Sequence, residues 1–234
     1  MCVRYTLHKT DAALAAISRA LGVPLETPDW AQPRYNVALT NTMPVVARAE
    51  GATRLRAMRW GIIPEGERAK AHPRLLANAR SETVTTVHAF RRAAAVRRCL
   101  VPANGFYEWE SRGGVKWPHL FTLRGEEPFA FAGVWDPAAG DLPETYCLLT
   151  TEPNELVARV HNRMPVILNA GTMPLWLGDT PLPEGELRKL VRPIDAALME
   201  SRPVSRYMSN SRNEGPECLA PPKEPPAEPE LNFG

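Results

Sequence analysis

Cys2 offers the most distinctive chemistry in the chain. A small second residue is what removal of Met1 requires, and that removal leaves an α-amine and a thiol on one residue. An α-amine titrates near ~7.7, against ~10.4 for lysine, so much of it is unprotonated at neutral pH. Such an amine attacks an aldehyde to give an imine, and the adjacent thiol then closes on the same carbon as a five-membered thiazolidine. An internal cysteine cannot do this, because its nitrogen is tied up as an amide. Position alone favours an ordinary small strand residue.

Three other segments carry groups that suit aldehyde capture. Residues 76–83 bring Asn78, Arg80 and Glu82 together where a strand gives way to a helix. Helix N-termini favour anions, and an arginine can grip a phosphate with two N–H groups. Asn78 and Ser81 also suit plain turn formation and capping. In Phe106-Tyr107-Glu108-Trp109 a carboxylate sits among aromatics. Buried there it is costly to ionise, so its pKa rises toward the range of a general acid or base. The other reading turns Glu108 out to solvent and Tyr107 and Trp109 inward. His161 precedes Arg163 in His161-Asn162-Arg163-Met164-Pro165. This imidazole can move protons at neutral pH, or it can simply sit against a helix C-terminus.

The bulk properties narrow the class. A chain of 234 residues with 44% hydrophobic content fits one large domain with a sizeable core. No apolar run reaches about 18 residues, and no basic-then-apolar leader opens the chain, so a cytoplasmic location is expected. Cys2, Cys99, Cys147 and Cys218 do not sit at metal-ligand spacings, which argues against a metal site and, in a reducing compartment, against disulfides. Cys99 and Cys147 lie in apolar runs and read as buried small hydrophobes. The net charge of +2 hides an asymmetry. Arginines crowd residues 52–100, Arg54, Arg56, Arg68, Arg91, Arg92, Arg97 and Arg98 among them, while the end of the chain is rich in glutamate and proline. A basic middle suits a polyanion partner, although solvated surface arginines would give the same count.

The elements that must position these groups are many and short. Strands are expected over 2–7, 45–49, 55–63, 99–103, 106–109, 146–151 and 164–168, with 117–123 and 129–135 forming a hairpin about a turn at 124–127. Helices are expected over 10–21, capped by Thr10 and closed by Gly22, and over 81–96, 154–160 and 182–191. The pattern implies an α+β fold, a single domain with a strongly curved mixed β-sheet or barrel-like core and peripheral helices. The domain is expected to end at 215, with 216–234 a disordered Pro/Glu-rich tail.

Taken together, the segments resemble the SRAP family (SOS-response-associated peptidases), abasic-site-processing proteins of bacteria and eukaryotes. The matching pieces are Met1-Cys2 with Arg4, Arg34-Tyr35-Asn36-Val37-Ala38, Trp60-Gly61-Ile62-Ile63-Pro64 and Asn78-Ala79-Arg80-Ser81-Glu82-Thr83. Gly105-Phe106-Tyr107-Glu108-Trp109, His161-Asn162-Arg163-Met164-Pro165 and Pro203-Val204-Ser205 continue the series in the family's order. Two departures stand out. Better-known members have glycine where this chain has Val3, and many carry base-wedging Trp and Pro near positions that here hold Gly66 or Glu67, and Leu39.

The resemblance implies that Cys2, freed when the protein removes its own Met1, crosslinks to the ring-opened sugar of an abasic site in single-stranded DNA. It assigns Asn78 to positioning the Cys2 amine and the sugar, Glu108 to acid/base work in sugar opening, imine formation and slow reversal, and His161 to assisting proton transfer. Thr150 is expected near His161. Arg4, Arg80 and Arg163 are the expected phosphate contacts, giving salt-dependent and largely sequence-independent affinity. A monomer without cofactor or metal is expected, with β-elimination at the abasic site as a minor lyase activity. Two other readings stay open: a Cys2 peptidase acting on other chains, and a non-catalytic module that binds nucleic acid.

Overall fold

The computed structural model describes residues 2–178 and 180–223. Two sheets share the core. The first runs in the order β13 (Met199–Pro203), β8 (Val115–Leu123), β7 (Gly105–Arg112), β1 (Arg4–Leu7) and β2 (Arg34–Ala38). The second contains β3 (Thr42–Ala49), β4 (Ala52–Trp60), β5 (Asn78–Arg80), β6 (Arg98–Ala103), β9 (Phe129–Asp136), β10 (Thr145–Thr151), β11 (Met164–Pro165) and β12 (Ile167–Leu168). Its pairings pass from β10 to β4, β3, β6 and β9 and return to β10, so this sheet closes on itself. It is mixed, because β10 runs parallel to β4 and β5 and antiparallel to β9 and β11. The expected α+β class with a curved mixed sheet is the observed one.

Burial explains which strands go where. Every residue of β9 and of β10 is buried, as a strand covered on both faces requires. β8 has exposed and half-exposed positions among its buried ones and lies in the outer sheet. The expected hairpin of 117–123 with 129–135 therefore does not form. β8 pairs with β7 and β13, whereas β9 pairs with β6, β10 and β12. Residues 124–127 cross between sheets, with Gly125 and Glu126 at positive φ. The true hairpin is β7–β8, turned by Gly113 and Gly114, both at positive φ as a two-residue turn demands.

Apart from the first, the expected helices are shorter in the structure. Helix α1 (Thr10–Leu21) buries Leu14 and Ile17 and ends on Gly22 in the left-handed conformation. Its N-cap is Lys9, not Thr10, whose hydroxyl donates to the Leu7 carbonyl instead. Of 81–96 only α2 (Arg91–Val96) is helical. The preceding Ser, Thr and Val residues disfavour a helix, and the Thr86 hydroxyl bonds back to the Thr83 carbonyl. In place of the helix expected over 154–160 there is one 3-10 turn, Val157–Arg159. Helices α3 (Met173–Leu177) and α4 (Glu184–Leu190) complete the set. Among the described residues no helix is long and apolar enough to cross a membrane.

The folded part extends past the expected boundary at 215. Pro216–Leu219 forms a 3-10 turn, and Cys218 is buried in a cluster with Tyr107, Leu120, Val204 and Met208. Residues 224–234, the rest of the expected tail, lie outside the described residues. Cys99 and Cys147 are fully buried, as expected of small hydrophobes. Part of the basic middle is consumed internally. Arg98 is 2% exposed and donates to the carbonyls of Ala94, Ala95, Trp176, Gly178 and Thr180. Arg56 pairs with Glu144, and Arg68 and Arg97 share Asp136.

Candidate active site

Strand register decides what the start of the chain meets. In the antiparallel β1–β7 pair Tyr5 lies opposite Phe106, so stepping back along β1 moves forward along β7 toward Glu108. On its other side β7 lies close to β8 because Gly105 has no side chain: a Cβ would stand 2.8 Å from the Phe121 carbonyl oxygen. A third element arrives from the closed sheet. β5 runs parallel to β10 with Asn78 opposite Leu148, and the Asn78 amide donates to the Cys2 carbonyl at 2.8 Å. The fourth comes from the segment before β11, where His161 Nδ1 lies 4.0 Å from Glu108 Oε1. Cys2, Asn78, Glu108 and His161, spread over 160 positions of sequence, are thus brought to one place.

Burial sets their protonation. Glu108 is 2% exposed, and burial raises its carboxyl to about 7. The fully buried Cys2 thiol is pushed well above its ordinary value, first by burial and then by the neighbouring Glu108 charge, while it donates to the Arg4 carbonyl at 3.5 Å. Burial also lowers the His161 imidazole, keeping the ring neutral at pH 7. Its Nδ1 lies 3.0 Å from both the N–H and the carbonyl of Arg163, which fixes the orientation of the ring. The side-chain oxygen of Asn78 is buried and has no hydrogen-bond partner among the described residues. It is an acceptor left over for an amine or a sugar hydroxyl.

An open groove of about 670 Å³ reaches Glu108 and His161, and its other walls are Val3, Arg4, Trp109, Lys116, Arg206 and Ser209. The expected phosphate contacts divide. Arg4 stands in the groove wall, and Arg80 is exposed on the same face of β5 as Asn78, with the buried Ala79 between them pointing the other way. Arg163 is not free for a phosphate. Its guanidinium holds both Glu82 oxygens, at 2.6 and 2.9 Å, and donates to the Thr150 carbonyl at 2.7 Å. Thr150 itself is buried behind the site, its hydroxyl 3.4 Å from Arg163 Nη2. Among the described residues no cluster of His, Cys, Asp and Glu is placed to hold a metal ion.

Sequence reasoning missed Lys116, Arg206 and Ser209. Lys116 was recoverable, since the Gly113-Gly114 turn sets it opposite Ser111. Ser209 accepts from the Trp109 indole at 3.1 Å across 100 positions of sequence, and no local signal reports that. The segment carrying Arg206 and Ser209 is tied down by the buried Asn36, whose amide donates to the carbonyls of Met208, Asn210 and Asn213. That contact supplies a physical reason for the Arg34-Tyr35-Asn36 segment.

The chain is 34% identical over 224 residues to the abasic site processing protein YoaM of Bacillus subtilis, covering 94% of this chain and 97% of that one. It is 31% identical over 237 residues to the abasic site processing protein HMCES of Gallus gallus, covering 84% and 70%. In fold it is similar to a crystal structure of a protein from Bacteroides thetaiotaomicron, with a TM-score of 0.74 at 22% identity over 94% of this chain and 99% of the other. The family model described as SOS response associated peptidase (SRAP) matches residues 1–211. The chain belongs to the SRAP family.

Proposed function

We propose that this protein processes abasic sites in DNA by capturing the ring-opened sugar on Cys2 as a thiazolidine. The observation that supports it most is the meeting of Cys2 with Asn78, Glu108 and His161, the last two of which line one open groove. Once Met1 is removed, the freed amine attacks C1′ of the aldehyde. The hydroxyl of the resulting carbinolamine leaves as water, with Glu108 giving the proton, and a protonated imine forms. The Cys2 thiol then adds to the imine carbon, passing its proton to Glu108. A carboxyl titrating at about 7 can give and take in turn at neutral pH. Asn78 holds the Cys2 backbone, and its unused oxygen receives the amine or the sugar hydroxyl.

The partner is single-stranded DNA, in which the damaged sugar can leave the stack, and the phosphate contacts are Arg4 and Arg80. Arg163, tied to Glu82, acts by orienting the His161 loop. The chemistry uses amine, thiol, carboxyl and imidazole and calls for no metal or cofactor, and one copy of the chain carries every group. Removal of Met1 by the protein itself and occasional β-elimination from the imine belong to the same site. A raised thiol argues against a peptidase acting on other chains, which needs a resting thiolate.

The test is incubation with an abasic oligonucleotide followed by denaturing electrophoresis and intact mass. The wild type should give an adduct that survives denaturation, Cys2→Ala none, and a chain that retains Met1 none. A processed wild type that forms no adduct ends the proposal.

A further inference from the structure

An abasic sugar offers no base to hold, so much of the grip on the strand must come from its neighbours. We propose that Arg206, held against Trp117, forms with Trp109 and Lys116 a shelf that stacks the base and grips the phosphate of a nucleotide flanking the abasic sugar. The proposal rests on the capture reading above and names how the strand is held there.

Arg206 lines both the catalytic groove and a smaller one of about 170 Å³, whose other walls include Trp117, Ser205 and Lys223. The two grooves therefore adjoin at this side chain. Its guanidinium carbon lies 5.7 Å from the centre of the Trp117 ring, a cation–π distance. Among the described residues no carboxylate pairs with Arg206 or with Lys116, unlike Arg56, Arg97 and Arg163 elsewhere in the chain. The shelf is also firmly mounted. The Trp109 indole is fixed to Ser209, the Ser205 hydroxyl caps the turn Arg206–Ser209, and Asn36 ties down the segment that follows. Half-buried aromatic rings beside uncompensated cations suit a single strand. Every base has a stacking face, every nucleotide carries a phosphate, and a guanidinium can itself stack on a base. Such a shelf reads no sequence, as a site for random lesions requires.

Affinity for an oligonucleotide with all bases intact tests the shelf apart from the covalent step. Trp117→Leu and Arg206→Ala should each weaken binding by about tenfold. Trp117→Phe, which keeps a ring under the guanidinium, should stay within about threefold of wild type. Arg206→Lys, which keeps the charge but not the flat face, should weaken binding nearly as much as Arg206→Ala. Trimming abasic oligonucleotides on one side of the lesion should cost the wild type affinity on that side only, and Arg206→Ala should erase the asymmetry. Wild-type affinity in Arg206→Lys would reduce the residue to a plain phosphate contact and overturn the stacking claim. Wild-type affinity in Arg206→Ala would overturn the shelf altogether, while an adduct from the same wild-type preparation would leave the capture reading standing. Absence of that adduct alongside the expected affinity losses would instead remove the capture reading and leave a strand-binding surface.

Discussion

Glu108 and Glu110 lie two residues apart on β7 and on the same face of it, yet the protein treats them oppositely. Burial raises Glu108 to about 7. Glu110 is also pushed up by burial, but Arg112 at 2.7 Å and His119 at 2.9 Å outweigh that, and its carboxyl ends below its ordinary value. His119 stands directly opposite Glu108 in the β7–β8 register but turns its ring to the diagonal neighbour, Glu110. One carboxyl is thus left ready to move protons, and the other is held as a fixed charge at the hairpin's outer end. Strand position does not make a catalytic acid. What matters is the balance between burial and the cations within reach.

The contrast can be tested most strongly by rate. Glu108→Gln should slow adduct formation, followed in single turnover, by on the order of 10²- to 10⁴-fold. Glu110→Gln should change it less than about threefold. In the wild type the rate should show an inflection near about 7 that Glu108→Gln removes. Equal losses in the two variants would break the distinction.

Stability against pH sharpens it further, because the two glutamates should act with opposite sign. A carboxyl raised in the folded state binds a proton that the unfolded chain has released, so stability falls as pH rises from about 4.5 to about 7 and then levels. Glu108→Gln should abolish that fall, gaining about 3 kcal/mol relative to wild type at pH 8 compared with pH 4, as measured by urea unfolding. An unchanged pH dependence would show that Glu108 is not buried as described.

Glu110 is the smaller effect. Its lowered carboxyl contributes stability that is present above the unfolded value and is lost as pH falls through the folded one. Glu110→Gln should cost about 1 kcal/mol at pH 7, a cost that vanishes once the pH has fallen through the folded carboxyl's lowered value. A cost that persists in acid would mean that packing, and not charge, is what Glu110 supplies. The Arg163–Glu82 pair is the least exposed to such tests. Glu82→Gln should cost under about 1 kcal/mol, since Glu82 is half exposed, while lowering the adduct rate only if the His161 loop shifts.

Much of this was legible from residues alone. The terminal aminothiol depends on position two of the chain, the raised carboxyl on its aromatic neighbours, and helix α1 on an apolar face closed by Gly22. Each is a local property, carried by residues adjacent in sequence or one helical turn apart. The actual hairpin turn is local as well, since Gly113-Gly114 at positive φ marks it and the run at 124–127 does not.

Other features could not be read that way. The arginines look alike in sequence, but Arg98 is buried against five carbonyls, Arg56 and Arg163 are spent on glutamates, and Arg80 is exposed on the face of β5 that carries Asn78. The wall formed by Trp109, Ser209 and Arg206 likewise joins segments about 100 residues apart. Residue types and their immediate neighbours determined which chemistry is available at Cys2 and Glu108. Only the closing of one sheet and the register of the other decided which charges stay free to meet DNA, because partners in an ion pair are chosen by distance in space and not along the chain.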